Sequence, residues 1–93
     1  MSASSDVQAK TLTATADLSV GPARIRQIQL LTAGSGSPQI VVKDGGSGGT
    51  TILDLKFSTG ITYSVNIPSD GIRSEAEPHF TLTNITQVTV FYA

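Results

Sequence analysis

The sequence predicts an all-β protein: a single antiparallel β-sandwich, jelly-roll-like, of about seven to eight strands. Three observations lead to this prediction. Apolar and polar residues alternate with a period of two in nearly every apolar run, and turn residues recur roughly every 8–12 residues. Ser, Thr and Gly take the place of charge, since 14% of the 93 residues are charged against about 25% in a typical domain.

Each predicted strand shows its own alternation and ends at turn residues. The run "TLTATADLSV" alternates Thr with Leu or Ala and ends at Gly21-Pro22, and "QIVV" ends at Asp44-Gly45. Alternate residues of a strand point to opposite faces, so each later run places its apolar side chains on one face. These sets are Leu53, Leu55 and Phe57; Ile61, Tyr63, Val65 and Ile67; Phe80 and Leu82; and Val88, Val90 and Tyr92.

The segment "ARIRQIQLL", residues 23–31, is the ambiguous element. Ile25, Ile28 and Leu31 are spaced at i, i+3 and i+6, which also suits an amphipathic helix. A strand requires a β-bulge near Arg26-Gln27, because an extra residue must bring Ile25 and Ile28 to the same side. We favour the strand, since the Gly and Pro residues on both flanks leave too few residues for a stable helix and the neighbouring runs are all β.

The glycine-rich stretch "DGGSGGT", residues 44–50, lies between two predicted strands. A phosphate-binding P-loop has Lys and then Ser or Thr after its glycines, with a helix immediately behind them. Here Lys43 precedes the glycines, and the run that follows, "TILDLKF", alternates as a strand does. We therefore interpret the stretch as the turn of a β-hairpin, where glycines supply positive φ, in preference to a phosphate cradle.

The length and the N-terminal composition indicate one domain with a short arm. Ninety-three residues suffice for a single modest core. Residues 1–10 are mostly small and polar and are expected to form a flexible arm, with the β-sandwich domain spanning residues 11–93. The sequence does not open with a basic stretch followed by an apolar one, and its apolar runs are far shorter than the ~20 residues that span a membrane, so we expect neither export signal nor anchor.

Charge and cysteine content argue against several function classes. The net charge is −1, and the six Lys and Arg residues are spread from Lys10 to Arg73, which is not the basic cluster of a nucleic-acid-binding protein. Cysteine is absent and His79 is the only histidine, so thiolate zinc sites and the usual nucleophilic sets cannot be built. The sequence indicates no catalytic, cofactor-binding or metal-binding residues, and we expect neither nucleic acid nor membrane as a partner.

Glu75, Glu77 and His79 are the first candidate site, in the stretch "SEAEPHF". At this spacing in an extended segment the two carboxylates would point the same way. They would then form a weak cation site or an acid–base pair. We favour a solvated loop rim ahead of the next strand.

The segment "IPSDGIRSE", residues 67–75, is predicted to be an exposed turn. Pro68 ends a strand and Asp70-Gly71 is a turn pair. Arg73 is placed to pair with Asp70 or Glu75, an interaction worth at most ~1 kcal/mol when exposed. The functional alternative is a subunit contact, because Arg is enriched at interfaces.

Three stretches carry a family resemblance. They are "GPARIRQIQLLTAGSGSPQIVVKDGGSGGTTILDLKF", "ITYSVNIPSDGIR" and "HFTLTNITQVTVFYA". A strand with Arg near its start is followed by "GSP", an apolar strand ending in "KDG", a Gly/Ser turn, "LDL", "IP" with "DGIR", and a terminal "TVFY". This order of turn and core residues, over about residues 21–93, resembles small structural proteins of tailed bacteriophages, particularly marine and cyanobacterial phages.

The resemblance implies a non-enzymatic virion protein, foremost a capsid decoration or cement protein that binds the assembled head and stabilises it. The implied partners are the major capsid protein and further copies of the chain, with a trimer favoured. The implied location is the virion, assembled in the host cytoplasm.

A different function class stays open beside it: a small tail-fibre or spike module that recognises a host surface glycan. It would need an aromatic or acidic pocket at one end of the sandwich, where Glu75, Glu77 and His79 could gather. The two tyrosines, Tyr63 and Tyr92, lie on core-facing positions of their predicted strands, which weakens this alternative. An enzyme is the least favoured class.

Overall fold

Two antiparallel β-sheets packed face to face make up the structure, a computed structural model that describes residues 7–68 and 71–93. These residues contain no helix and form nine strands: β1 (Gln8–Leu12), β2 (Ala16–Asp17), β3 (Ala23–Thr32), β4 (Gln39–Asp44), β5 (Thr50–Lys56), β6 (Thr62–Asn66), β7 (Ile72–Ser74), β8 (Pro78–Thr83) and β9 (Ile85–Tyr92). The predicted all-β sandwich is confirmed. The count exceeds the expected seven to eight because it includes two very short strands, β2 with two residues and β7 with three.

The order of the strands is that of a jelly roll. One sheet has the order β1-β9-β3-β6, with β7 pairing to β3 as well, and the other has the order β2-β8-β4-β5. Apart from β7, the pairs are nested: the first strand pairs with the last, β2 with β8, β3 with β6 and β4 with β5. A long hairpin that is rolled over itself gives this nesting, which is the double-sheet jelly-roll arrangement.

The core lies between the two sheets and is built from alternate residues of the long strands. Phe80 of β8 is fully buried at its centre, and burying one such side chain contributes roughly 1.5–3 kcal/mol. The buried apolar cluster comprises Leu12, Leu18, Ile25, Ile28, Leu30, Ile40, Val42, Phe80, Ile85, Val88 and Val90.

Strand β3 resolves the ambiguous segment, and both the strand and its bulge are confirmed. Ile25 pairs with Tyr92 and Gln27 with Phe91, so Arg26 is the extra residue on β3. The bulge brings Ile25 and Ile28 to the same buried side, as the spacing required. Beyond it the period is two, since Leu30 is buried and Leu31 is 42% exposed.

The glycine stretch is the turn of the β4–β5 hairpin, which confirms its interpretation. Gly45 and Gly46 have φ of 103° and 83°, values that L side chains adopt rarely. At Gly49 a Cβ atom would collide with the carbonyl oxygen of Asp44. Two separate requirements, positive φ and close backbone approach, therefore explain three of the four glycines, Gly45, Gly46 and Gly49.

The folded domain begins earlier than expected. Strand β1 starts at Gln8 and pairs with β9 from Gln8–Tyr92 to Leu12–Val88. Residues 8–10, assigned to the arm from the sequence, thus belong to the sandwich, and the start of the domain moves from residue 11 to Gln8. Residues 1–6 lie outside the described residues, so the flexible arm stays a prediction for them.

The prediction that Ile61 belongs to the core is wrong. Ile61 was expected to share a buried face with Tyr63, but its side chain is 45% exposed. Ile61 precedes β6, and its backbone is held there by Thr32: its carbonyl accepts from the Thr32 amide at 3.1 Å, and its amide donates to Thr32 Oγ1 at 2.9 Å.

Candidate functional site

Glu77 is bound by the chain's own backbone. Its carboxylate accepts hydrogen bonds from the amides of Ser19 (2.8 Å), Val20 (3.3 Å) and Gly21 (3.0 Å). Ser19 and Gly21 have φ of 64° and 73°, so three successive amides point to one place and form an anion-binding concavity, or nest. This carboxylate occupies a structural nest between β2 and β3.

His79 is engaged in a different contact. Its Nδ1 lies 2.7 Å from Asp17 Oδ1, across the β2–β8 pair, and its side chain is 11% exposed against 50% for Asp17. Glu75 is exposed and Glu77 faces the nest, so Glu75, Glu77 and His79 do not converge on one site. In the described part of the chain, no three His, Asp or Glu side chains are grouped to hold a metal ion.

Asp44 is a second carboxylate that accepts three hydrogen bonds, and the sequence indicated it only as a turn residue. It accepts hydrogen bonds from the Ala76 amide (2.8 Å), the Glu75 amide (3.1 Å) and Ser74 Oγ (2.9 Å). These bonds favour the charged form of the carboxylate and hold the pKa of Asp44 below its ordinary value of 3.8. The Ala76 amide has the largest effect, followed by the Glu75 amide and the Ser74 hydroxyl. The loop after β7 is thereby tied to the end of β4.

The polar groups of the glycine turn are also used within the chain. The amides of Gly45 and Gly46 both donate to the Glu77 carbonyl, at 2.9 and 3.4 Å, and the Gly49 amide donates to the Gly46 carbonyl at 3.0 Å. Lys43 Nζ donates to the Ser47 carbonyl at 3.2 Å. A phosphate would have to displace these contacts, which favours the purely structural turn.

Arg73 lies in a small basic group at one end of the first sheet. It is the register partner of Arg24, and Arg26 follows at the bulge of β3. Arg73 and Glu75 do not form an ion pair among the residues described, and the alternative partner Asp70 lies outside them. The structure therefore brings together basic residues that are far apart in the sequence.

An open cleft of about 480 Å³ lies at the opposite end of the β4–β5 ladder from the glycine turn. Its lining residues are Phe57, the hydroxyl-bearing Ser37, Ser58 and Thr59, the amide Gln39, the ammonium-bearing Lys56, and Gly36 and Pro38. Phe57 packs against Tyr63, with ring centroids 4.8 Å apart. The Tyr63 hydroxyl accepts from the Ser58 amide at 3.1 Å, so the aromatic wall is held in place.

The outer face of the sheet β1-β9-β3-β6 carries no charged side chain over its central part. Its residues alternate with the core-facing ones along the four strands, and we call them the uncharged face: Ala9, Thr11, Gln27, Gln29, Leu31, Thr62, Ser64, Asn66, Gln87, Thr89 and Phe91. Polar pairs tie neighbouring strands together, as between the Thr11 and Thr89 hydroxyls at 2.8 Å. The face extends over all four strands and consists of uncharged side chains, an arrangement that sequence patterns did not reveal.

Comparisons of the chain with protein-family models, curated proteins and solved structures found no match. Nor does the part of the chain that the structure describes include a helix able to cross a bilayer.

Proposed function

We propose that this chain is a non-enzymatic virion structural protein, a capsid decoration or cement protein that binds the assembled head and stabilises it. Its partners are the major capsid protein and further copies of itself, for which the resemblance to phage structural proteins favours a trimer. Its location is the virion, assembled in the host cytoplasm.

The uncharged face is the observation that carries the proposal. Charged residues are depleted at the centres of protein interfaces, because removing a charge from water is costly unless it is paired. Eight of the eleven residues of this face are exposed: Ala9, Thr11, Gln29, Leu31, Thr62, Ser64, Asn66 and Gln87. An exposed, uncharged face of this kind suits contact with another protein.

The remaining features are compatible with a passive structural role. Jelly rolls occur in viral capsid and lectin domains, which supports the proposal by analogy of fold alone. The carboxylates of Asp44 and Glu77 tie loops that would otherwise be mobile. A rigid body of this sort loses little conformational entropy when it docks.

Stabilisation of the head would follow from mass action. A ligand that binds only the assembled shell shifts the equilibrium toward that shell, by an amount that grows with its concentration relative to its Kd. A stable contact should bury more than about 1,000 Å² in total. The uncharged face, with the neighbouring loops and the N-terminal arm, would have to supply this area.

Binding to heads that lack the protein tests the proposal. We expect saturable co-sedimentation of the purified chain with such heads, and a higher temperature of head disruption. Gln29→Glu places a charge on the uncharged face and should abolish co-sedimentation. Thr51→Glu adds the same charge on β5 of the other sheet and is the matched control. Wild-type protein that fails to bind the heads would refute the proposal.

The cleft beside Phe57 favours a second candidate, the glycan-recognition module. An aromatic wall next to hydroxyl and amide groups is chemistry that suits a neutral sugar. The cleft lies away from Glu75, Glu77 and His79, where a pocket was expected. A titration with neutral monosaccharides, followed by backbone amide NMR shifts, should move Gln39, Lys56 and Ser58 if this function is correct. Unchanged shifts at high millimolar sugar would eliminate it.

A further inference from the structure

Exposed edge strands offer unpaired backbone groups to other chains, and proteins protect them by shortness, charge or bulges. Four of the five edge strands here, β1, β2, β5 and β7, show such protection, and β7 has only three residues. Strand β2 has only two residues. Strand β5 carries Asp54 and Lys56 and has a register shift opposite Val42 and Lys43.

Strand β1 is protected by a lysine that is turned inward. Lys10 is the register partner of the buried Val90. Its Nζ donates to the Leu18 carbonyl at 2.7 Å. A further strand on this edge would have to pack beside that charge, which is a known way of discouraging edge pairing.

Strand β6, Thr62–Asn66, has none of these charges or irregularities. Its sequence "TYSVN" contains no charged residue and no proline, and its register with β3 is regular over all five pairs. The Ile61 carbonyl accepts from the Thr32 amide, and the Ile67 amide donates to the Arg26 carbonyl. Odd-numbered residues therefore bond to β3, because alternate residues of an antiparallel strand address the same neighbour.

The outward backbone groups of β6 consequently belong to Thr62, Ser64 and Asn66. All three residues are exposed. Together they present three amides and three carbonyls at equal spacing along an uncharged edge.

We propose that β6 pairs antiparallel with β6 of a second copy of this chain, about a two-fold axis that passes beside Ser64. Ser64 then lies opposite Ser64 of the second copy, and Thr62 lies opposite Asn66 of the second copy. The three outward-facing positions form hydrogen-bonded pairs, each exchanging two backbone bonds, so all six outward groups are satisfied.

A second copy of this chain is the partner whose backbone groups and charges match this edge. Under the two-fold axis every outward group meets its complement, and no like charges meet, since the strand has none. On the inner side Tyr63 comes beside Val65 of the second copy, an aromatic and β-branched pair that stabilises antiparallel strands. The two β6-containing sheets, one from each copy and each of five strands, become one continuous sheet, and the uncharged face doubles in width.

This inference rests only on the self-association part of the proposed function, and it predicts pairs of chains in place of the trimer that the resemblance favours. A two-fold contact joins copies in pairs and does not by itself close a ring of three. Head binding and β6 pairing are therefore measured separately: heads that bind a chain without β6 pairing would refute this inference alone, and β6 pairing without head binding would refute the proposed function alone.

Cross-linking by a single introduced cysteine tests the pairing directly. The natural chain has no cysteine, so Ser64→Cys places one thiol per chain beside the axis. Hydrogen-bonded antiparallel partners have Cα atoms about 5.5 Å apart, within the disulfide range of about 4.4–6.8 Å. The matched control is Ser47→Cys, at an exposed position in the glycine turn.

Under mild oxidation at equal concentration, Ser64→Cys should give covalent dimer at least about tenfold faster than Ser47→Cys. Equal rates, or no dimer from Ser64→Cys, would overturn the proposal.

Charge variants provide an independent readout by light scattering. Ser64→Lys and Ser64→Glu should each be less associated than wild type, and an equimolar mixture of the two should regain the association. Wild-type mass equal to one chain or to three chains would also overturn it.

Discussion

At the scale of single residues, carboxylates with backbone partners define the ends of this sandwich. Asp44 bonds to Ser74, thirty residues further along the chain, and Glu77 bonds to Ser19, fifty-eight residues earlier. Hydrogen bonds to a charged group contribute more than those between neutral groups. The loops at this end are therefore expected to depend on a few side chains.

Asp44→Asn should lower the free energy of unfolding at pH 7. The folded-state pKa of Asp44 lies below its ordinary value of 3.8, so its stabilisation is fully present above that value and is lost as the pH falls through the folded pKa. The difference between wild type and variant should accordingly shrink below about pH 4. Urea denaturation at several pH values, followed by circular dichroism, measures it. A difference that stays constant down to pH 2 would contradict the assignment.

Glu77→Ala should destabilise the fold by about 1–3 kcal/mol, because it leaves three amides of the nest without their acceptor. Glu77→Gln retains one carbonyl oxygen and should lose less. Glu75→Ala is the matched control, since the Glu75 side chain is exposed and exposed substitutions usually change stability by less than about 0.5 kcal/mol. Thermal unfolding of the three variants would rank their losses of stability. Equal losses for Glu75→Ala and Glu77→Ala would refute the stabilising role of the nest.

At the scale of elements, strands and turns follow local patterns, and the most local of them is the glycine turn. Gly49 passes close to the Asp44 carbonyl, whereas Gly48 faces open space. Backbone packing thus requires a glycine at position 49 but not at the adjacent position 48.

Gly49→Ala should destabilise the β4–β5 hairpin by more than about 1 kcal/mol, because its Cβ would force the backbone at Asp44 to move. Gly48→Ala should be neutral or slightly stabilising, since it removes freedom from the unfolded chain without a clash. Chemical denaturation of both variants distinguishes them. Similar stabilities would show that the turn can relax around a side chain.

Removal of residues 1–6 should leave the stability unchanged within about 0.5 kcal/mol, because β1 begins only at Gln8. Removal of residues 1–12 should cost at least about 2 kcal/mol, since it deletes β1 and the buried Leu12. If the shorter deletion unfolds the protein, the arm belongs to the fold. If it folds but binds heads less well, the arm contributes to docking, as we expect.

At the scale of the whole molecule, the two sheets present different surfaces to their surroundings. The uncharged face covers one sheet, while Asp17, Lys43, Asp54 and Lys56 lie on strands of the other. The basic pair Arg24 and Arg73 lies at one end of the first sheet. Contacts through these regions should respond differently to salt.

Binding to heads through the uncharged face should change by less than about twofold between 50 mM and 500 mM NaCl, because salt screens only interactions between charges. Co-sedimentation across this range measures the effect. A decrease of tenfold or more would place the contact at the Arg24–Arg73 end instead, and Arg73→Gln would then remove the salt dependence.

The sequence by itself determined the fold class, most strands, the hairpin at the glycine stretch and the bulge at Arg26, because each depends on residues close together in the chain. Ile61 was misplaced because alternation does not show where a strand begins. The tertiary structure alone decided the nested pairing of the strands, the partner of His79 sixty-two residues away, the nest around Glu77 and, among residues 7–68 and 71–93, the unpaired edge of β6. These features depend on which distant segments meet, and short-range patterns of polarity do not encode that.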